Sequence, residues 1–273
     1  MKLHDFNIKH KKNDRITIIP IGDLHLGSIC CDKQAFEEML DYIHTTDNTY
    51  TLLMGDLMDA IVHTDTRRYD ISTIDPDLLT PEDQIEYLIE KLKPLADKGK
   101  IIGMLEGNHE HELKKRSYIP VCKRISEAIN IPFFGYQTVI RLNFRRQSPG
   151  MIKDVVWTNT LYAHHGCGGG RRTGSIVNKV TDFMSQWDCD IYLMGHVHRK
   201  VAHTETMLTV PKRGKLRIEE SRKLFGVIGT FLKSYTDDES STYIERAGYP
   251  PVTIGTIRLE FFPDKHTSEI MTQ

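Results

Sequence analysis

Short apolar runs alternate with amphipathic stretches along the first two hundred residues. Residues 15–21, 50–54 and 100–105 are rich in β-branched and aliphatic side chains and read as buried strands. Between the first two, Phe36, Met39, Leu40 and Ile43 recur at helical spacing behind Asp32, which suits an N-cap. Thr80-Pro81-Glu82-Asp83 combines a capping residue, a proline at the first helical position and acids in the first turn. Ile85, Leu88, Ile89, Leu92 and Leu95 supply the buried face of that helix, and Gly99 stops it. This alternation predicts an α/β fold.

Residues 60–79 lose the pattern and are long for a connection in a compact domain, so they predict a functional loop or a small subdomain. Residues 110–130 look helical with a break at Pro120. Residues 137–144 alternate, a turn is expected at 146–150, and 154–163 reads as an antiparallel partner strand. A helix over 175–187 and a strand over 190–194 follow. Beyond His203, β-like pieces (207–210, 215–218, 225–230, 253–262) alternate with turns. There is no Ser/Pro linker and no repeat. A single domain over 1–273 is expected, with 1–14 as an N-terminal extension and 205–273 as C-terminal strands completing a second sheet.

Composition narrows the class. Of 273 residues, 39% are hydrophobic and 27% charged, which is globular, and the net charge of −1 provides no overall field toward nucleic acid or membrane. Five cysteines without metal-site or C-x-x-C spacing read as reduced thiols in a reducing compartment. The first twelve residues lack the apolar core of a signal peptide, and no apolar run approaches the ~20 residues of a membrane span. A cytoplasmic protein without membrane partners is expected.

The chemistry sits where the apolar runs end. Asp23 and His25, Asp56, Asn108 and His109, His164 and His165, and His196 and His198 each follow a strand-like segment. Ligands in open α/β sheets collect at the carboxyl ends of strands. A donor set of carboxylate, imidazole and amide without thiolate suits Mn²⁺, Fe²⁺, Zn²⁺, Co²⁺ or Ni²⁺. Extended backbone would point the two side chains of each D-x-H or H-x-H pair the same way. Glycines before Asp23, Asp56, Asn108 and His196 allow tight turns beneath the ions.

The ordered motifs D-x-H, G-D-x-x-D, G-N-H-E, H-H-G and G-H-x-H resemble those of the calcineurin-like metallophosphoesterase superfamily. The resemblance implies a four-layer α/β/β/α sandwich of two mixed sheets flanked by helices, with a dinuclear metal site at strand C-terminal ends. It implies that Asp23, His25, Asp56 and His198 hold one divalent ion, Mn²⁺ first among the candidates. Asp56, Asn108, His164 and His196 would hold the other. His164 rather than His165 follows the family habit of using the first residue after that strand, with His165 left as the alternative ligand or as a substrate contact. The resemblance further implies hydrolysis by a hydroxide bridging the two ions, with His109 protonating the leaving oxygen and Asp59 orienting it.

The branch is read from what is absent. Asp59 is followed by Ala60-Ile61, and Gly107 is preceded by Glu106. The two arginines that grip phosphate in Ser/Thr protein phosphatases are therefore missing, and the pattern is similar to phosphodiesterase and nuclease branches. A phosphodiesterase acting on DNA, RNA or a nucleotide is expected. The alternatives are a phosphatase or pyrophosphohydrolase of small molecules or lipid-linked nucleotides, and a non-catalytic metal-binding scaffold. Arg171, Arg172 and Arg199 are the substrate contacts expected beside His165, within a basic rim that also draws on Arg67-Arg68 and Lys114-Lys115-Arg116. Tyr243, Arg246 and Tyr249 are candidates to stack on a base. The sequence leaves the oligomeric state open.

Overall fold

Parallel strands that are apolar on both faces need cover on both, and that requirement builds the layers here. The computed structural model describes residues 1–66, 69–146, 155–170, 172–211, 213–235, 242–246 and 248–272. One sheet carries β2 (Ile16–Ile21), β3 (Thr49–Leu53), β4 (Ile101–Leu105) and β5 (Phe133–Gly135) in parallel. Antiparallel β11 (Ile257–Phe262) and β12 (Thr267–Thr272) extend it beside β2. The other sheet runs in the order β1 (Lys2–Lys9), β6 (Gln137–Arg146), β7 (Val155–His164), β8 (Ile191–Met194), β10 (Glu219–Ile228), β9 (Lys200–Thr209).

Side-chain parity divides the burial into three cores. Ile18, Leu52 and Ile102 from the first sheet meet Ile140, Leu161, Leu193 and Leu224 from the second. On the far face of the first sheet, Ile19 and Leu53 pack with helices α1 (Lys33–Thr45), α2 (Pro81–Asp97) and α4 (Val121–Ala128) through Phe36, Leu88 and Ile125. On the far face of the second, Tyr162, Tyr192 and Phe225 pack with Ile176 and Val180 of α5 (Thr173–Thr181). The result is the expected order helix, sheet, sheet, helix. Thr80 and Asp83 close a reciprocal capping box at the start of α2.

Two expectations are corrected. Residues 1–14 are not an extension, because β1 pairs in parallel with β6 from Lys2↔Thr138 to Lys9↔Arg145. Its polar-rich sequence hid it: an edge strand needs only one buried face, here Phe6 and Ile8, while Asp5 pairs with Arg141 across the ladder. Residues 205–273 complete both sheets rather than one. β10 lies beside β8 because residues 223–228 are buried on both faces, whereas β11 and β12 join the first sheet.

Local boundaries shift less. Residues 60–79 hold a 3₁₀ turn, Ile71–Thr73, and are fastened by buried Gln84, which accepts from Ala60 N–H and donates to Leu78 C=O. The helix expected over 175–187 is α5 followed by a 3₁₀ turn, Asp182–Ser185. Residues 215–218 form part of the turn between β9 and β10, not a strand. Of the turn expected at 146–150, Arg146 ends β6, while residues 147–150 and the strand start at 154 lie outside the described residues. All five cysteines are free thiols. No helix among the described residues is long and apolar enough to cross a membrane.

This layering sets a contrast. Leu161→Ala removes a fully buried side chain between the sheets and is expected to cost about 2–5 kcal/mol in denaturant unfolding. Leu208→Ala, at 65% exposure on β9, is expected to cost under about 0.5 kcal/mol. Equal losses would contradict the assignment of the core.

Candidate metal centre

The five motif-bearing strands end at one shared edge. Asp23, Asp56 and Asn108 follow β2, β3 and β4 of the first sheet, while His165 and His196 follow β7 and β8 of the second. Three groups of donor atoms converge there: Asp23, His25 and His198; His25, Asp56 and His109; and Asp56, His165 and His196. Within each group, one atom per residue lies within 4.8 Å of the others.

The backbone is bent to achieve this. Asp23, His25, Asp56, His196 and His198 all have φ between 48° and 71°, the left-handed region, which costs a non-glycine residue about 1–2 kcal/mol each. The D-x-H and H-x-H pairs therefore do not work through extended backbone, as their spacing had suggested. Alternate left-handed residues turn the chain instead, and Leu24 and His25 N–H both donate to Asp56 C=O at 2.8 and 3.0 Å. Strain of this kind concentrates at functional sites. Close approach matters too, since a Cβ at Gly107 would collide with the Asp56 carboxylate.

Asp56 is the hub. Its Oδ1 accepts from His109 N–H at 2.8 Å, and its Oδ2 lies 3.2 Å from His165 Nε2. Burial works to raise its pKa, but the neighbouring His165 and His109 charges outweigh burial and hold it well below the usual carboxylate range. Asp23 is the opposite case. Burial pushes its carboxyl up to about 8. Its Oδ2 accepts from His196 N–H at 2.8 Å, while its buried Oδ1 has no hydrogen-bond partner among the described residues and lies 3.8 Å from His198 Nε2. A buried carboxylate oxygen without a donor is costly unless a cation meets it.

The histidines show the same want of a centre. His25 Nε2 and His198 Nε2 stand 3.0 Å apart, two ring nitrogens turned toward one point. Burial, reinforced by the like charge of a neighbouring histidine, lowers His198 well below its ordinary pKa and His196 to about 4. Neutral imidazole is the form that ligates metal. Carboxylate, imidazole and amide donors, an orphaned buried oxygen and the neutral rings of His196 and His198 fit a divalent-cation centre.

One residue changes place with its neighbour. His165, fully buried, joins Asp56 and His196, with Nε2 also 3.0 Å from Asn108 Oδ1 and Nδ1 2.9 Å from Met54 C=O. His164 turns away, accepting from Gly166 N–H at 2.7 Å and packing its ring against Phe183. Strand parity is the reason. Leu161 and Ala163 face the inter-sheet core and Tyr162 faces the helices, so His164 follows Tyr162 and His165 follows Ala163. His165 is fully buried in this cluster.

Asp59 holds two rings. Its C=O lies 2.8 Å and its Oδ1 3.3 Å from His109 Nδ1, and Oδ1 also lies 3.4 Å from His25 Nδ1. Burial opposes protonation of His109, but Asp56 and the Asp59 contacts override it and raise its pKa to about 10.

The rim is less positive than its sequence suggests. Lys114 faces Glu106 at 3.8 Å, and Arg116 is shared between Glu112 at 2.9 Å and Asp65 at 3.6 Å. Arg172 is exposed at the start of α5, and Arg199 is half-buried beside a depression of about 350 Å³ that Lys200 and Pro251 also line. Arg67, Arg68 and Arg171 lie outside the described residues, as does the Tyr243 side chain. Arg246 pairs with Asp70 at 4.0 Å, and the Tyr249 hydroxyl approaches Gly169 of the glycine loop.

Two supporting residues escaped the sequence reading. Glu110, fully buried, accepts from four backbone amides: Leu57 and Met58 at Oε1, and Asp56 and Gly107 at Oε2. It ties the second motif to the third. The signal was its place in G-N-H-E, at the third position of α3 (Asn108–Ser117), where a carboxylate reaches back to the helix start. Thr230 donates its hydroxyl to Asp23 C=O at 2.7 Å, and Phe231 N–H donates to the same oxygen at 3.1 Å. Nothing local in the sequence marks Thr230.

The family described as calcineurin-like phosphoesterase matches residues 16–200. Among solved structures, a conserved uncharacterized protein from Streptococcus pneumoniae TIGR4, described as a predicted phosphoesterase, aligns with 15% identity and a TM-score of 0.35. The alignment covers 91% of this chain and 84% of that one. No match is found among curated proteins.

The Glu110 clamp makes a direct prediction. Glu110→Gln leaves an amide NH₂ facing backbone donors, so the Asp56 loop should shift while the layers stay folded. Titration calorimetry with Mn²⁺ should show affinity lowered by about 10–100-fold. Unchanged affinity would mean that the clamp is incidental to the centre.

Proposed function

Because the chain belongs to the calcineurin-like phosphoesterase family, and is thereby a metal-dependent hydrolase of phosphoester bonds, we propose that it is a phosphodiesterase of nucleic acid or nucleotide substrates. The observation that carries the diester reading is Glu106. Its carboxylate is 6% exposed immediately before the Asn108-His109 motif, held between His111 at 3.2 Å and Lys114 at 3.8 Å. A fixed negative charge there repels a phosphomonoester dianion more than a diester monoanion. At several ångströms and an effective dielectric near 20, one extra charge costs on the order of 1–2 kcal/mol, about tenfold in rate.

One cation would be held by Asp23, His25, Asp56 and His198, and the other by Asp56, Asn108, His165 and His196. We assign manganese first, on the oxygen and nitrogen donors and the absence of thiolate. Bound there, two divalent ions neutralise phosphoryl charge and acidify water. The chain's own residues do the rest. Asp56 would be shared between the two ions, Glu110 fixes its loop, and Asp59 fixes the ring of His109 through Nδ1. The remaining nitrogen of His109, Nε2, is then the atom that gives a proton to the departing oxygen.

The substrate class is tested with bis(p-nitrophenyl) phosphate against p-nitrophenyl phosphate in Mn²⁺. The diester should show the higher kcat/KM by about tenfold, and Glu106→Arg should shrink that ratio. A preference for the monoester in the unaltered protein would refute the diester reading. Oligonucleotides and nucleotide diphosphates then separate the substrates within the class.

The ligand assignment has its own readout. Elemental analysis after dialysis should find two bound ions in the unaltered chain, two in His164→Ala and one in His165→Ala. The reverse pattern would return the ligand role to His164.

A further inference from the structure

The ladder between β6 and β7 carries toward the metal centre one side chain that no motif marks. Its register includes Gln137↔His164 and Thr138↔Ala163, which sets Tyr136 across from His165. The pairing continues there, because His165 N–H donates to Tyr136 C=O at 3.1 Å. Residues directly opposite on a ladder share a face. Ile140, Leu142, Leu161 and Ala163 face the other sheet. The same parity turns Tyr136 and His165 together toward the edge where the donor groups converge.

The ring contacts agree. The Tyr136 ring stands edge-on to His165, with centroids 5.8 Å apart, and edge-on to His111 at the same 5.8 Å. His164 closes a third side at 5.9 Å. His111 is itself held 3.2 Å from Glu106. The phenol thus stands between the third motif and the fourth. These contacts account for the ring but not for the oxygen. Tyr136 is half-buried, and its hydroxyl has no hydrogen-bond partner among the described residues.

We propose that Tyr136 is a substrate contact, its phenol donating a hydrogen bond to a non-bridging phosphoryl oxygen beside His165 and Asn108. A phenol is protonated at neutral pH and donates without adding a positive charge. Such a donor suits a rim whose cations are engaged by Glu106, Glu112 and Asp65. His109 stands with the other donor group, against His25 and Asp59. The two donors therefore serve different oxygens: His109 the one that departs, Tyr136 one that stays on phosphorus. The inference rests on phosphoester hydrolysis alone and holds for a diester or a monoester.

Tyr136→Phe keeps the ring and removes the oxygen. Elemental analysis should still find two bound Mn²⁺ ions, as in the unaltered chain. Titration calorimetry of the Mn²⁺-loaded protein should show inorganic phosphate bound about 10–100-fold more weakly. That titration does not depend on which ester the protein prefers, so failure of the diester reading leaves it intact. Across aryl phosphoesters of graded leaving-group pKa, kcat/KM should fall by one common factor in Tyr136→Phe. In His109→Ala the loss should grow with leaving-group pKa. Equal phosphate affinity in Tyr136→Phe and the unaltered protein overturns the proposal. Loss of an ion also overturns it, by making Tyr136 a support for His165. So does a loss that climbs with leaving-group pKa, which would put the phenol on the departing oxygen.

Discussion

Two carboxylates buried at the meeting edge of two sheets dominate this molecule. Asp23 and Asp56 are each 1% exposed or less, and one oxygen of Asp23 accepts no hydrogen bond among the described residues. Burying negative charge without countercharge is among the largest penalties a fold can carry. The surrounding architecture makes sense as a way to hold these groups until cations offset them. Strands that are buried on both faces hold the edge, five left-handed residues aim the ligands, and Glu110 gathers four amides to fix the loop beneath Asp56. These devices cost stability locally, and the cores on either side of each sheet supply it.

Much of this was legible in the residues because metal chemistry and strand ends leave short, ordered signatures. The layers followed from apolar runs alternating with amphipathic helices, and Asp59 beside His109 followed from the family resemblance. What stayed hidden depended on parity and on distance along the chain. His164 and His165 are interchangeable in composition, and only the side of β7 that faces the inter-sheet core separates them. β1 was read as an extension because an edge strand with one buried face lacks a continuous apolar run. Thr230 supports Asp23 from 207 residues away, a relation that no local pattern encodes.

The rim shows how a neutral chain can tune a reactive centre without a strong field. Lysine and arginine near the motifs looked like a polyanion track, but Glu106, Glu112 and Asp65 pair with several of them. The open Arg116–Glu112 pair adds little stability. The consequence of these pairs is a rim field weaker than the residues alone suggest, since a charge held by a neighbour is less available to a long phosphate backbone.

The central claim is that Asp56 bridges two cations, with His165 on the second. The most direct measurement is anomalous diffraction from crystals grown with Mn²⁺. It should show two peaks about 3.5–4 Å apart, flanking the Asp56 carboxylate, with His165 Nε2 on one and His25 and His198 on the other. A single peak, or a peak ligated by His164 instead of His165, would contradict it.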